Sequence, residues 1–366
     1  MVGRTMLACA CACLGACGAT VSLDDGSLET QPPPSSPPSS SPPVSVADPF
    51  PRSPPCGEAS DTPEVTWEYR AGTTKAQETV AAVAVDAEGN VYLTGKGSMN
   101  VDFGGGPMSG HAGYVVSLTA DGEYRWGRFL QGSDWGSAIA VTRSGQVVVA
   151  GSFMGPLELG GHTYDAGEQR NMGFLVALTS MGEVLWHRAF GEGKINIATG
   201  VAIGPDDGVI MVGSFQWAAD FGGGMRQTTG GRDAFVAAYD ADGNYRWDVT
   251  PPGPSNEIPI GVAVDSAGQV TVSGHFSAEW DLGGGTRHPD GTDAAFVLQL
   301  DDQGGYEWDW THGFGGYGGS TAVAVDSKGQ IYVTGGYYGS LSFAGADHPQ
   351  SSELSSYVVA FDADGT

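Results

Sequence analysis

The stretch Val262–Gly274, VAVDSAGQVTVSG, decides the fold of this chain because it returns five times with small changes. The copies begin at Val83, Ile139, Val201, Val262 and Val323. The glycines that end them, Gly95, Gly151, Gly213, Gly274 and Gly335, lie 56, 62, 61 and 61 residues apart. A period of this length indicates one supersecondary unit repeated along the chain.

Each unit predicts two β-hairpins. In the first hairpin, two short β-branched runs flank a turn with glycine, as around Gly89. In the second hairpin, Phe235–Tyr239 and Tyr245–Trp247 flank the turn at residues 240–244. Four strands per unit and no helical periodicity indicate an all-β fold, a β-propeller of four-stranded blades. A linear β-solenoid is the competing architecture.

The small alanine in every first strand predicts that this strand is innermost, where blades converge. The recurrent tryptophan on the second hairpin predicts a filler for the wider gap between blades. Trp67 lies on a similar segment with no hairpin before it, and the sequence stops at Thr366, before a fifth such tryptophan. We therefore expect five blades in a ring closed by the N-terminal strand, which removes exposed edges. The alternative is a chain that lacks further blades.

A family resemblance follows from these motifs. The order of a Trp strand, VAVDxxGxVYVTG, a loop and DAFVAxxDxxG resembles the bacterial SBBP β-propeller repeat, in a form similar to that of surface lipoproteins. The likeness covers about residues 64–366. It implies a propeller and an extracytoplasmic location, and it carries no established activity. The family name refers to seven blades, whereas five units are present here, so the blade number is not transferred.

The N-terminus predicts export. Residues 1–16 form a lipoprotein signal peptide, with Arg4 as the positive charge and Met6–Leu14 as a short apolar stretch. Leu14–Cys17, LGAC, resembles the bacterial lipobox, which implies lipidation of Cys17, typically with palmitate. Gly18 favours anchoring at the outer membrane or cell surface of a Gram-negative-type bacterium. Cleavage near Ala19 and free secretion is the alternative.

Residues 17–60 predict a lipidated start followed by a disordered stalk, because Pro32–Pro55 is nearly all proline and serine. A Pro-rich recognition ligand is the alternative. The propeller repeat domain is assigned to residues 61–366. With 42 acidic and 16 basic side chains, the net charge of −26 argues against a nucleic-acid partner.

Two acidic patterns are interpreted as structural. Asp240–Asn244 resembles a fragment of a calcium loop but lacks the remaining oxygen ligands, so a hairpin turn is favoured and no cofactor is assigned. An acid also recurs before a Phe/Leu-Gly step, and we expect it to bond nearby backbone amides; repeated binding pockets are the alternative. The recurring acids are Asp102, Glu158, Asp220 and Asp281.

The candidate ligand-binding residues are those that break the repeat. Trp135, Trp217 and Trp280, with the adjacent Asp134, lie in predicted loops where aromatic rings could stack on sugars. Burial beneath long loops is the favoured interpretation of these rings, and ligand binding is the alternative. The seven histidines have no metal-ligand spacing, and no catalytic signature is present, so no catalytic or metal residue is assigned.

The favoured function is a non-enzymatic surface lipoprotein whose propeller binds a protein or glycan, or serves as a scaffold. The membrane is contacted through the lipid anchor. The alternative is a propeller glycosidase or lyase acting on extracellular polysaccharide, whose paired carboxylates would come from distant blades. An enzyme is expected to gather non-repeating ionisable residues at the central opening, whereas a binding platform is expected to expose an aromatic rim or similar pockets on several blades.

Overall fold

The structure is a computed structural model that describes residues 66–71, 78–97, 100–108, 110, 112–167, 170–193, 195–316, 318–343 and 346–365. The described residues from Trp67 onward belong to one compact unit of antiparallel sheets, and no helix occurs among them. The predicted signal peptide, Cys17 and the Pro/Ser-rich stalk lie outside these residues.

Four antiparallel sheets of four strands form blades 1 to 4, and each blade carries a small two-stranded hairpin between its second and third strands. Blade 1 contains β1 (Thr79–Val85), β2 (Val91–Gly97), the hairpin β3 (Val101–Asp102) and β4 (Pro107–Met108), β5 (Ala112–Leu118) and β6 (Tyr124–Leu130). Blade 2 contains β7 (Ser133–Val141), β8 (Val147–Phe153), the hairpin β9 (Pro156–Leu159) and β10 (His162–Asp165), β11 (Met172–Leu178) and β12 (Val184–Phe190). Blade 3 contains β13 (Asn196–Ile203), β14 (Val209–Phe215), the hairpin β15 (Ala218–Asp220) and β16 (Met225–Gln227), β17 (Asp233–Tyr239) and β18 (Tyr245–Val249). Blade 4 contains β19 (Glu257–Val264), β20 (Val270–Phe276), the hairpin β21 (Trp280–Asp281) and β22 (Thr286–Arg287), β23 (Ala294–Leu300) and β24 (Tyr306–Gly313).

Blade 5 has three strands among the described residues: β25 (Gly318–Val325), β26 (Ile331–Phe343) and β27 (Ala346–Phe361). Its hairpin is continuous with β26 and β27, which are therefore longer than their counterparts. The prediction of an all-β propeller made of four-stranded blades is confirmed by this arrangement. Ring closure through the N-terminal strand is not among the described strand pairings and stays a prediction.

The first strand of each blade is innermost, as the alanine pattern predicts. First strands of successive blades contact one another, from β1 to β7, β13, β19 and β25. The small side chain one residue before the end of each first strand permits this approach. These first-strand alanines are Ala84, Ala140, Ala202, Ala263 and Ala324.

The glycine that ends each repeat faces the irregular point of the first strand. A register shift interrupts every first strand at the same place, for example between Ala198 and Gly200. The carbonyl oxygen of Ile197 would lie 2.0 Å from a Cβ on Gly213, and Trp135 O would lie 2.1 Å from one on Gly151. No side chain fits there, because real Cβ atoms do not approach a carbonyl so closely. Each blade therefore requires a glycine at this position for the same steric reason.

In blades 1, 2 and 3 the recurrent tryptophan donates a hydrogen bond to the turn of the next blade, whereas Trp308 in blade 4 packs against Gly365 and its Nε1 has no hydrogen-bond acceptor among the described residues. Trp126 Nε1 in blade 1 donates to Ser180 O in the blade 2 turn at 2.8 Å, and Trp186 Nε1 in blade 2 donates to Ala241 O in blade 3 at 3.0 Å. Trp247 bonds the blade 4 turn in the same way. We call this the inter-blade Trp contact, and it fills the gap between blades as predicted.

The N-terminal segment makes the same contact. Trp67 Nε1 donates to Ala120 O in the blade 1 turn at 3.0 Å, and Gly122 lies against the indole. Residues 67–71 therefore stand toward blade 1 as an outer strand stands toward the following blade. Among the described residues, in contrast, none covers Val358 on the outward face of blade 5. Val358 is 70% exposed, whereas its counterpart Val236 in blade 3 is 2% exposed.

The connections define two faces. The small hairpins and the links between blades leave the sheets at one end of the strands, which we call the hairpin face. The tight turns within each blade, such as that at Asp240–Asn244, leave at the opposite end. All four predicted ligand-binding residues lie at the hairpin face.

Candidate functional site

The recurring acid organises a glycine loop in three blades. Asp220 Oδ1 accepts the backbone N–H groups of Gly222 and Gly224 at 2.8 and 3.0 Å. Asp102 and Asp281 accept the equivalent pairs of N–H groups in blades 1 and 4. This confirms the structural interpretation of these three positions.

The calcium-like stretch is also a self-contained turn. Asp240 Oδ1 accepts the backbone N–H groups of Asp242 and Asn244 at 3.0 and 2.7 Å, and Oδ2 accepts the Asn244 side-chain amide at 2.9 Å. The carboxylate oxygens of Asp240 thus cap the turn. Across the described ranges, no three or more His, Cys, Asp and Glu side chains are grouped so that they could hold a metal ion.

Trp280 corrects one sequence prediction, because it lies in the core rather than in a ligand-binding loop. Its side chain is 2% exposed, and its ring packs against Phe276 and Phe296 at centroid distances of 5.7 and 5.1 Å. The indole Nε1 donates to Pro251 O at 3.1 Å, so its polar atom is satisfied as well. Trp280 precedes the recurring acid and occupies the same buried repeat position as Val101, Leu157 and Ala219.

Trp135 and Asp134 lie in strand β7, not in a connection. The pairing of β7 with β8 skips Asp134, which is the extra residue of a bulge between Ser133 and Trp135. The Trp135 side chain is 36% exposed. Lys96 Nζ of blade 1 lies 3.0 Å from Asp134 Oδ1, and both side chains are partly exposed. This ion pair contributes at most about 1 kcal/mol, and it holds the bulge against blade 1.

Trp217 is an exposed aromatic residue at the hairpin face. Its side chain is 59% exposed, and its backbone has a φ of 79°, which is rare for a bulky residue. Two hydrogen bonds to Thr228 hold it: the Trp217 N–H donates to Oγ1 at 3.1 Å, and the Thr228 N–H donates to Trp217 O at 2.9 Å. The hairpin of blade 3 therefore fixes this ring at the surface.

A buried pair of carboxyl groups, not predicted from the sequence, lies where blades 3 and 4 meet. Asp233 and Glu257 are 1% and 0% exposed. Among the described residues, nothing donates a hydrogen bond to Asp233 Oδ1 or Glu257 Oε2. Burial raises the pKa of Asp233 to about 6, although N–H groups of Thr229 and Gly253 oppose the shift. Burial, together with the charge of Asp233, raises the pKa of Glu257 to about 7.

Three more ionisable residues lie at the same boundary. Burial lowers the pKa of Arg232 and of His275 and raises the pKa of Asp293. His275 and Asp293 affect each other's pKa through their charges, so these groups are near neighbours. Together with Asp233 and Glu257, they form a non-repeating charged cluster. In the static structure the two carboxyl side chains are closed to solvent, so this cluster offers no open substrate site.

One of the two buried acids, Asp233, differs in type from the residues at the same repeat position in the other blades. Asp233 begins the third strand of blade 3, where blades 1, 2 and 4 carry Ala112, Met172 and Ala294. A column-by-column comparison of the repeats would have marked this acid as exceptional. Its proximity to Glu257 depends on the packing of two blades and has no local signature.

A surface cleft between the outer strand of blade 1 and blade 2, called here the blade 2 cleft, is a second feature that the sequence prediction missed. The cleft has a volume of about 450 Å³ and is lined by Arg128, Glu158, Glu183 and Val184, with the hairpin turn Gly160–Gly161 at its edge. In blades 1, 3 and 4, a tyrosine ring fills the corresponding space against the glycine loop. These tyrosines are Tyr124, Tyr245 and Tyr306.

The hairpin of blade 2 also turns differently. Leu159 pairs with His162, so Gly160 and Gly161, with φ of 57° and 82°, form a tight two-residue turn. The other hairpins have wide loops capped by aspartate. Glu158 occupies the capping position in blade 2, yet none of the described residues donates a hydrogen bond to its carboxylate. The carboxylate of Glu158 is therefore left to line the cleft.

Comparisons with known proteins give similarity of architecture alone. No protein-family model matches the chain, and no curated protein matches it. Among solved structures, a gluconolactonase from Xanthomonas campestris shares 14% identity over 69% of this chain and 68% of its own, with a TM-score of 0.36. A polysaccharide lyase of the PL25 ulvan lyase family shares 12% identity over 78% and 67%, with a TM-score of 0.41. The WD40 β-propeller domain of Doa1 shares 12% identity over 70% and 76%, with a TM-score of 0.32. Likeness at this level carries no argument about function.

In the part of the chain that the structure describes, no helix has the length and apolar character needed to cross a bilayer.

Proposed function

We propose that this protein is an exported, non-enzymatic binding module, anchored to the outer bacterial surface through Cys17, that presents the hairpin face of its propeller to a protein or glycan. The observation that carries the proposal is Trp217. A large aromatic side chain 59% exposed to water, on a backbone with a φ of 79°, is unfavourable for a residue with no task. Such strain costs about 1–3 kcal/mol and is found where a surface is used.

The position of Trp135 also supports the hairpin face as the binding surface. Trp135 lies on the neighbouring blade at the same face and leaves 36% of its side chain exposed. Aromatic rings suit both kinds of ligand, since they bury large apolar area and stack on the apolar faces of sugars. The net charge of −26 disfavours binding to polyanions such as nucleic acid.

The test compares Trp217→Ala with the unchanged full chain on an array of bacterial glycans and against immobilised surface-protein extract. We expect at least a tenfold loss of binding in the variant. Val85→Ala serves as the matched control, because Val85 is 53% exposed but ends β1 at the opposite face. Equal binding by Trp217→Ala and the unchanged chain would overturn the proposed surface.

The anchor is tested separately. We expect Cys17→Ala to move the protein from the outer-membrane fraction into the culture medium, and mass spectrometry of the unchanged chain to find acyl groups on Cys17. An unmodified N-terminus beginning beyond Cys17 would instead support free secretion.

One observation favours the second candidate function, a polysaccharide glycosidase or lyase. Asp233 and Glu257 are paired carboxyl groups whose pKa values of about 6 and about 7 suit acid–base chemistry. Their burial speaks against substrate access. We expect no depolymerisation of bacterial polysaccharides, measured as release of reducing or unsaturated ends. Turnover that disappears in both Asp233→Asn and Glu257→Gln would replace the binding proposal with an enzyme.

A further inference from the structure

The blade 2 cleft exists because one tyrosine is missing from the repeat. In blade 3, a Cβ on Gly222 would lie 2.7 Å from the Tyr245 ring, and one on Gly223 would lie 2.2 Å from its hydroxyl group. The ring and the loop therefore fill each other's space. In blade 2, Val184 stands at the tyrosine position, and a Cβ on Gly160 would lie 3.1 Å from Val184 Cγ1 and 3.5 Å from the His187 ring. Val184 is smaller than a tyrosine, and a cleft opens beside it and the turn Gly160–Gly161.

The polar groups around this space differ from those of the other blades. Glu158 and Glu183 both contribute to the wall, and their side chains are exposed. Arg128 donates from Nη1 to Gly182 O, which holds its guanidinium at the cleft with further N–H donors unused by that bond. Val184 and the edge of Phe129 supply apolar surface. The cleft thus combines carboxylate oxygens that can accept hydrogen bonds, a guanidinium group that can donate them, and an apolar wall.

We infer that this cleft binds a pyranose ring, neutral or amino-substituted, belonging to a glycan. The carbon face of the sugar takes the place of the absent tyrosine ring against Val184 and Gly160. Its hydroxyl groups donate to the carboxylates of Glu158 and Glu183, and Arg128 donates to a ring or hydroxyl oxygen. A volume of about 450 Å³ falls within the range of about 300–1,000 Å³ usual for small-ligand sites.

The charge of the cleft selects among sugars. Two carboxylates face one guanidinium, so an anionic ring such as a uronate or a sulfated sugar meets net repulsion. A neutral hexose pairs with all three groups, and an amino sugar adds a favourable charge. This inference goes beyond the proposed function, because it concerns the outer rim of blade 2 and does not depend on Trp217.

The experiment uses saturation-transfer NMR with the full chain and three probes: methyl glucoside, glucosamine and glucuronate. We expect signals from the first two and none from glucuronate. Val184→Tyr restores the repeat residue and fills the cleft, so we expect at least a tenfold loss of signal in a protein that keeps its strand circular dichroism. Binding of glucuronate alone, or sugar binding unchanged in Val184→Tyr, would overturn the inference.

A second variant tests the inference independently of whether Val184→Tyr folds. Glu158→Gln keeps the size of the side chain and removes one carboxylate, and we expect a three- to tenfold loss for glucosamine with a smaller loss for methyl glucoside. Equal binding of both sugars by this variant and the unchanged chain contradicts the assignment. Val85→Ala, which changes an exposed side chain at the opposite face and outside both proposed binding surfaces, is the control, in which binding at blade 2 is expected to persist. Loss of binding in Trp217→Ala with retention in Val184→Tyr would retain the proposed function and reject the cleft.

Discussion

The indole of Trp186 lies directly on Gly243 of the following blade, so that a Cβ on this glycine would fall 2.5 Å from the ring. The same indole donates from Nε1 to Ala241 O at 3.0 Å. One residue in blade 2 therefore requires a bare backbone in blade 3. Gly182 below Trp126 and Gly304 below Trp247 repeat this relationship.

Gly243→Ala is predicted to destabilise the protein through this contact. Gly243 has a φ of 78°, where an alanine costs about 1–2 kcal/mol in backbone strain. Collision of the methyl group with Trp186 adds about 1–3 kcal/mol. Gly145→Ala is the control, because Gly145 has a φ of 85° with nothing within 4 Å of its Cβ. Urea unfolding of both variants measures the difference, and equal losses would mean that the indole moves aside freely.

The buried carboxyl pair predicts a fall in stability with rising pH. The pKa values of Asp233 and Glu257 rise from 3.8 and 4.5 to about 6 and about 7 on folding, so the folded protein holds these protons more tightly. Between those limits, the folded state binds more protons than the unfolded chain, and the free energy of unfolding decreases as pH increases. The contribution is complete below about pH 4 and is lost as pH rises through 6–7, with a total of at most about 6 kcal/mol.

The measurement is urea unfolding from pH 4 to 8 for the unchanged chain and for Asp233→Asn combined with Glu257→Gln. We expect the double variant to have the flatter profile, because its amides do not titrate. Glu88→Gln, at an exposed turn position, serves as the control for replacing a carboxyl group by an amide. Parallel profiles for all three proteins would show that the pair does not titrate abnormally.

The glycine loops predict different costs for equivalent acids. Asp220→Ala removes two hydrogen bonds to backbone amides, at 2.8 and 3.0 Å, and is expected to cost about 1–3 kcal/mol. Glu158→Ala, at the same repeat position, is expected to cost less than about 0.5 kcal/mol, since its carboxylate caps no loop. Thermal unfolding compares the two. A larger loss for Glu158→Ala would contradict the view that this carboxylate is available to a ligand.

The outward face of blade 5 provides a test of ring closure. Val236→Ala, at a side chain 2% exposed, is expected to cost about 2 kcal/mol. Val358→Ala, at a side chain 70% exposed, is expected to change stability by less than about 0.5 kcal/mol. A loss as large as that of Val236→Ala would show that this face is covered, as closure of the ring requires.

The features predicted correctly from the sequence are those that depend on residues close together in the sequence. The Val-Ala-Val runs, the turn glycines and the loop aspartates act within a dozen residues of themselves. Asp102 illustrates this, because its partners are the N–H groups two and four residues later. The innermost position of Ala84 also follows from side-chain size alone, since the convergence of blades is a property of the fold.

The features missed from the sequence depend on neighbours. Trp280 differs from Val101 and Ala219 in size and polarity, so its shared buried position is not visible in its type. Asp233 meets Glu257 only after two blades have packed. The blade 2 cleft arises where Val184 replaces a tyrosine. That replacement is recognised only by comparison with blades 1, 3 and 4, which keep the tyrosine.

The inter-blade Trp contact has a consequence for how such a chain can grow. Blades 2, 3 and 4 each present a turn glycine to the tryptophan of the blade before and a tryptophan to the turn glycine of the blade after. A tandem duplication of one such unit would therefore reproduce this contact at the new boundary. One copy of the unit can also differ at a single side chain, as blade 2 does at Val184, while the contacts that join the blades stay the same.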